Sequence, residues 1–419
     1  MNAIYIDRIQ IHSYPYGAPN RDRNGSPKTC SYNGTTRGRL SSQHEKRHER
    51  TVVEELLGSY AVRTRNTPTE TAKILVEHGW DEKHALLASQ LLIINLGIKG
   101  LGITEAGGTN ALLFLPSEAI TELSDVANRH RDHIEPVVKK VESDLAKAAE
   151  KAKKAKAGDL DDEEKEEQED TERISLLAKN ANALLPKGVA KSANDAVCSI
   201  LHSRNASVAA YGRMLANDPG STVEAAIQTM HSFSTHTVST QMDSFTAVDD
   251  IAKALGGGGQ AAHLGEQRYN AATYYKYTTI NVTELIGNLG GDVNAALGVT
   301  DGCMRAPFLK KEGGKHTSTA PHTLPHLVYA AVRTDRPVNL AGAFAVPIPA
   351  STNGYLEPSC DALNEHAGAH HRLIGTKGIA GHAYTGLTER DFSNLGTRVA
   401  SLDDFAEITL ATVKQVLGV

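Results

Sequence analysis

The stretch NRDRNGSPKTCSYNGTTRGRLSSQHEKRHER, Asn20 to Arg50, gathers the side chains best suited to a chemical task. Its eight cations, Arg21, Arg23, Lys28, Arg37, Arg39, Lys46, Arg47 and Arg50, face only Asp22, Glu45 and Glu49, inside a chain of formal net charge −5. Clustered cations in an acidic protein point to an anionic partner, because where charge lies matters more than its sum. Ser41 and Gln43 add a hydroxyl and an amide, groups that bond phosphate and ribose without reading bases. Arg213 in YGRM and Lys315 in the Gly-rich GGKHT loop extend the set. The whole constellation suits a polyanion; an ordinary basic surface is the alternative that composition leaves open.

Catalytic and metal motifs are weaker. GGKHT has Leu309 and His316 where a phosphate loop needs Gly and Ser or Thr. No GxSxG or helix-opening GxGxxG occurs, although a Ser-His-Asp set needs no local signature and stays open. His366 and His370 fall one turn apart if helical, with His371 beside them, but no third ligand stands at metal spacing and Gly368 weakens a helix there, so surface histidines are expected. Asp249 and Asp250 fit a turn or helix start better than a cation site. Cys30, Cys198, Cys303 and Cys360 are too scattered for a CxxC site or a disulfide framework, which suits free thiols in a reducing cytoplasm. No metal and no cofactor is expected.

At 419 residues the chain should form one core with a large insertion, or two to three domains. Its apolar runs fall short of the about 20 residues that cross a membrane, so no membrane partner is expected. AIYIDRIQIHSY alternates, with a slip near Asp7 and Arg8, and reads as a strand entering the basic loop rather than as a signal peptide. His44 to Leu57 reads as a helix capped by Ser41 or Ser42, with Lys46, Arg47 and Arg50 on one face. From about Thr67 to Leu185 helix formers dominate and predict an inserted helical domain. Within it, five lysines in KAAEKAKKAKAG and ten acids in DLDDEEKEEQEDTE predict a solvated loop or frayed helix. NASVAAYGRML reads as a strand, and Met230 to Gln267, with four glycines from Gly256, reads as a protrusion. NVTELIGNLGG reads as a glycine-stopped helix, HLVYAAVR as a buried strand, and LDDFAEITLATVKQVL as a helix.

The basic stretch resembles the signature of the CasC family, the crRNA-binding backbone subunit of the type I-E CRISPR Cascade complex. The matching positions are Asn20, Arg21, Asp22, Lys28, Gly34, Arg37, Arg39, Ser41, Ser42, Gln43, Lys46 and Arg47. YGRMLAN, MDSFTAVDD with AHLGEQRYNAATYYKYTTINVTEL, and APHTLPHLVYAAVRTDRPVNLAGAF match further blocks in order, over about three quarters of the chain. NGTTRGR departs from the family's charge after the turn, and His44 and Glu45 interrupt its helix start. The resemblance implies an α+β protein with an RRM-like (ferredoxin-like) palm, inserted helical fingers and a thumb β-hairpin. It implies a palm over 1–60, 201–230 and 269–419, fingers over 61–200 with a charged segment at 145–173, and a thumb over 231–268. It also implies that Arg21, Lys28, Ser41, Gln43, Lys46 and Lys315 hold RNA phosphate or ribose, while Met214 and Leu264 wedge beside a displaced nucleotide unless they belong to the core. Arg39 and Arg47 have a second reading as salt-bridge partners. Implied partners are crRNA, target DNA through guide pairing, further copies of the chain and the large, small and crRNA-end Cascade subunits, in the cytoplasm. A metal-dependent endoribonuclease using Asp22 or Asp243, as in type III relatives, and a scaffold that binds only protein are the rival functions.

Overall fold

Ile4, Ile6, Ile9 and Ile11 are buried, and so are the polar residues among them, Asp7, Arg8, Gln10 and His12. A strand covered on both faces must lie inside a sheet, and β1 (Tyr5–Gly17) runs antiparallel between β9 (Ala261–Asn281) and β10 (Leu327–Arg333). This computed structural model describes residues 3–419 apart from 97, 99–100, 105, 156–174, 176, 178, 181–186, 215–217, 249–260, 311–313 and 353. The chain divides into two compact units, one of residues 1–58 with 226–419 and one of 59–225.

The first unit is mixed α and β, built on a large, mostly antiparallel sheet. In spatial order its strands are β12 (Thr397–Arg398), β11 (Ile379–Gly386), β10, β1, β9, β7 (Ser232–Ser234), β3 (Thr35–Leu40) and β2 (Thr29–Tyr32), with β6 (Ile227–Thr229) and β8 (Gln241–Val248) also on β9. Among the described strands only β11 and β12 pair in parallel. The slip near Asp7 and Arg8 has a cause: adjacent residues point to opposite faces, and both carry buried charge. Asp7 accepts from the Tyr277 hydroxyl at 2.7 Å and the Val338 N–H at 2.8 Å. Burial pushes its carboxyl up to about 6, against those bonds. Arg8 donates to both oxygens of Glu49, at 2.6 and 2.7 Å, and also to the Cys303 carbonyl. Glu49 lies on α1 (Ser42–Leu57), whose buried residues are Glu45, Glu49, Val52, Val53 and Glu54. Glu45 meets Lys310 at 2.6 Å and Lys276 at 3.3 Å. Gly302 of the helix Val293–Leu309 lets Val53 approach, since a Cβ there would lie 3.4 Å from its methyls.

Below β7 the sheet is keyed by a histidine. His236 accepts from the Thr273 N–H at 3.1 Å through Nε2, its Nδ1 lies 2.9 Å from the Thr237 carbonyl, and its ring stacks on Tyr355 at 3.6 Å. Nε2 can accept only while the ring is neutral. Burial pushes the imidazole below its ordinary 6.5, the Arg37 guanidinium adds to this, and the Thr237 carbonyl opposes it.

The second unit has a two-stranded sheet of β4 (Ala61–Thr64) and β5 (Leu113–Pro116) under helices. Leu75, Trp80, Leu91, Leu123, Ile134, Val138 and Val197 form its core. After Pro116 the helix-forming stretch contains two helices, Ala119–Arg129 and Arg131–Ala155. The strand expected over NASVAAYGRML is the helix Ala206–Tyr211, because the Asn205 side chain caps it by accepting from the Val208 N–H at 3.0 Å, and Val208, Ala209 and Ala210 are buried. Residues 201–225, assigned from the sequence to the first unit, cluster with the helical one. Most of the charged stretch, Gly256 to Gly259, and the pair Asp249 and Asp250 lie outside the described residues. Among the described residues no helix is long and apolar enough to cross a membrane.

Removing Glu49 strands the Arg8 cation inside the protein. Glu49→Ala should destabilise the first unit by about 3–5 kcal/mol, seen as a lower urea midpoint. An unchanged midpoint would show that the pair is dispensable. His236 makes a pH prediction of definite sign. Below 6.5 the unfolded chain takes up a proton at this ring before the folded one does, so its contribution is whole above 6.5 and drains away as pH falls. Asp7, raised from 3.8 to about 6, acts oppositely between those values. The check is therefore the melting temperature of wild type minus that of His236→Gln, which should shrink from pH 7.5 to pH 5.5.

Candidate nucleic-acid interface

The basic stretch is built on turns rather than left as open loop. Asp22 Oδ1 accepts from the N–H groups of Asn24 and Ser26, each at 2.9 Å, and Gly25 supplies the left-handed φ of 78° that closes the turn. The Lys28 N–H donates to the Asn20 carbonyl at 2.9 Å, and the Arg39 N–H donates to the Lys28 carbonyl at 2.8 Å. The Ser41 N–H donates to Asn20 Oδ1 at 3.0 Å. Asn20 thus ties the loop to the start of α1. Between them β2 and β3 form a hairpin that the sequence reading passed over, turning at Asn33 and Gly34 with φ of 47° and 77°. The Asn-Gly pair was its signal, since a two-residue turn of this kind needs positive φ at both positions.

The expected contacts divide into buried and available groups. Among the described residues, the side chains of Arg21, Lys28, Arg39, Lys46 and Arg47 make no hydrogen bond or ion pair. The reading of Arg39 and Arg47 as salt-bridge partners is therefore not what the structure shows. Lys46 is half-buried, and burial pushes its ammonium down against the pull of Glu49. Ser41 is buried as the cap of α1, its hydroxyl accepting from the His44 N–H at 3.4 Å, whereas Gln43 is exposed. Arg37 is a correction. It is fully buried and donates to Thr35 Oγ1 at 2.8 Å and to the carbonyls of Ser234 and Phe344 at 2.9 and 3.1 Å, so its guanidinium staples the hairpin to its neighbours.

Lys315 sits with φ of 62° after Gly314, whose lack of a side chain lets the loop press on the Ala18 and Pro19 carbonyls. It donates to Gln267 Oε1 and shares a cleft with Arg21. The expected protrusion contains an antiparallel hairpin of β8 and the first part of β9. Leu264 on it is 69% exposed, which removes the core alternative, and Met242 and Phe245 are exposed beside it. The Phe245 ring covers Gly265, where a Cβ would come within 2.4 Å.

In the second unit Met214 is 83% exposed, again not core. Its neighbour Arg213 is the other correction: it is buried and donates to the Ser221 and Ser203 carbonyls at 2.8 and 2.9 Å. Burial pushes its guanidinium down to about 10. Asp22 is held in its turn, and Asp243 is exposed opposite Gln267 on the hairpin. His366, His370 and His371 lie on the helix Leu356–Ile374 and are half-buried rather than on open surface. Gly368 persists in that helix because a Cβ there would meet Asn394 at 2.8 Å. Among the described residues no three His, Cys, Asp or Glu side chains gather closely enough for a metal.

Residues 6–408 match the family described as CT1975-like protein. The chain belongs to this family. Among solved structures, this CT1975-like chain is similar to one described as CRISPR RNA-guided surveillance complex, pre-nicking, with a TM-score of 0.78 and 33% identity over 97% of this chain and 99% of that one. A second, described as CRISPR RNA-guided surveillance complex, gives 0.68 and 28% over 97% and 99%. No curated protein matches. These findings agree with the CasC resemblance of the sequence, and the CT1975-like protein is CasC-like.

The two arginines of β3 should behave differently. Arg37→Ala should cost about 2–4 kcal/mol of stability, since it orphans buried carbonyls, whereas Arg39→Ala should stay within about 1 kcal/mol. Parallel urea titrations of the two variants decide this, and equal losses would contradict the division.

Proposed function

We propose that this chain is a crRNA-binding backbone subunit of a type I-E Cascade complex, a non-catalytic component of antiviral defence in the cytoplasm. Copies of it line up along the guide, hold the RNA backbone and present the bases for pairing with target DNA, beside the large, small and crRNA-end subunits. In this reading the large sheet is an RRM-like palm, the helical unit the fingers, and the β8 and β9 hairpin the thumb. Arg21, Lys28, Arg39, Gln43, Lys46, Arg47 and Lys315 hold phosphate and ribose, while Leu264 and Met214 are wedges against a displaced nucleotide.

The observation that carries the reading is the set of cations, Arg21, Lys28, Arg39, Lys46 and Arg47, whose side chains make no ion pair among the described residues, since such arginine and lysine side chains are what a polyphosphate backbone needs. The surveillance-complex chains at 33% and 28% identity are RNA-guided by name. Sequence reading falls to guide pairing, because phosphate contacts position a strand without specifying it. The nuclease alternative finds less support, as Asp22 spends one carboxylate oxygen on two backbone N–H groups.

Purifying the chain from cells that express a CRISPR array and the neighbouring subunits, then sequencing the bound RNA, tests the role. Discrete repeat-flanked guides are expected; RNA-free protein or random fragments would overturn it. Lys28→Ala and Lys46→Ala should weaken binding equally across guides of different sequence and reduce the salt slope by about 0.7 per lost contact. Losses that depend on guide sequence would sink the phosphate assignment.

A further inference from the structure

Three cations from three separate elements meet in one cleft of the first unit. Arg21 comes from the turn after β1, Arg268 from β9 at the base of the hairpin, and Lys315 from the loop pressed on Ala18 and Pro19. The cleft measures about 490 Å³, in the range of small-ligand sites, and Ala18, Asn24, Gly25, Glu266 and Gln267 complete its walls. One carboxylate, Glu266, faces three cations, so the balance stays positive. Gln267 Oε1 accepts from both Lys315 and the Tyr269 hydroxyl, which fixes the lysine and leaves the Gln267 amide N–H groups as donors. Arg268 is exposed, and its one hydrogen bond among the described residues is to Ser26 Oγ at 3.5 Å. Its backbone is set by pairing with Met242, and the guanidinium lines the cleft with most of its five donors unspent among the described residues.

Resting on the backbone reading above, we infer that this cleft seats a phosphodiester of single-stranded RNA and that Arg268, which motif reasoning passes over, is a direct phosphate ligand. A planar guanidinium grips two phosphate oxygens at once, Lys315 adds a point charge, and Arg21 supplies a second guanidinium to the lining. The cleft fixes the strand where the palm sheet turns into the hairpin.

The test is fluorescence anisotropy of the full chain with a labelled single-stranded RNA across a salt series. Wild type is compared with Arg268→Ala, Arg268→Lys and, as a control far along the sequence, Lys414→Ala, with adenosine monophosphate as competitor and thermal melts for folding. Arg268→Ala should bind several-fold more weakly with its salt slope lower by about 0.7, Arg268→Lys should recover the slope with only part of the affinity, and Lys414→Ala should match wild type. Arg268→Lys keeps the test valid if the alanine variant melts early. Wild type without salt-dependent RNA binding would overturn the backbone reading itself. Wild-type slope and affinity in both Arg268 variants would overturn the cleft alone. Arg268-dependent competition by the free nucleotide, with the RNA slope unchanged, would assign the cleft to a soluble nucleotide and overturn its role on the guide.

Discussion

Two carboxylates turned inward hold the first helix to the sheet. Glu49 grips Arg8 of β1, and Glu45 meets Lys276 of β9 and Lys310 at the end of the helix Val293–Leu309. Moving charges out of water is costly, and the cost is offset only when partners and hydrogen bonds are complete, so this helix has few alternative seatings. The consequence lies on its other face. With both acids drawn inward, Gln43 and Arg47 stay exposed and Lys46 half-exposed, so the helix presents cations on its outer side.

Strand β9 carries that order outward. Over 21 residues it passes from the sheet core, where Tyr275 and Ile280 are fully buried, to the hairpin, where Leu264 is exposed. Its pairing with β1 runs in register from Asn281 to Ala272, then shifts before Asn270. A register slip of one residue would exchange the buried and exposed faces, so the direction in which the hairpin offers Leu264 and Arg268 follows from the packing of tyrosines well inside the sheet. Structure and chemistry are joined along a single strand.

The arginines show how little residue type alone decides. Arg37 and Arg39 are two positions apart on β3, yet one is held by a hydroxyl and two carbonyls and the side chain of the other makes no hydrogen bond among the described residues. Arg213 resembles Arg37 in a different unit, spending donors on the Ser221 and Ser203 carbonyls. A guanidinium with five donors is as good a staple for loop carbonyls as it is a phosphate ligand, and only the acceptors within reach tell the two apart.

Local signals in the sequence settled a good deal. Alternation gave β1, an apolar run gave β10, a cap and a glycine stop gave α1 and the helix Val282–Asn288, a helical pattern gave the helix Leu402–Leu417, and charge density gave the loop that carries the candidate interface. Ordered motif blocks gave the family. Asn33-Gly34 and Asn205 were legible too and were underweighted, the first as a hairpin turn and the second as a helix cap. Tertiary structure alone decided which cations are spent and which are available, that Glu45 and Glu49 face inward, and that Arg21, Arg268 and Lys315 share a cleft. The reason is physical: turns and caps are made by residues within a few positions of one another, whereas the acceptors of Arg37 lie 197 and 307 residues away and the walls of the cleft come from three distant segments.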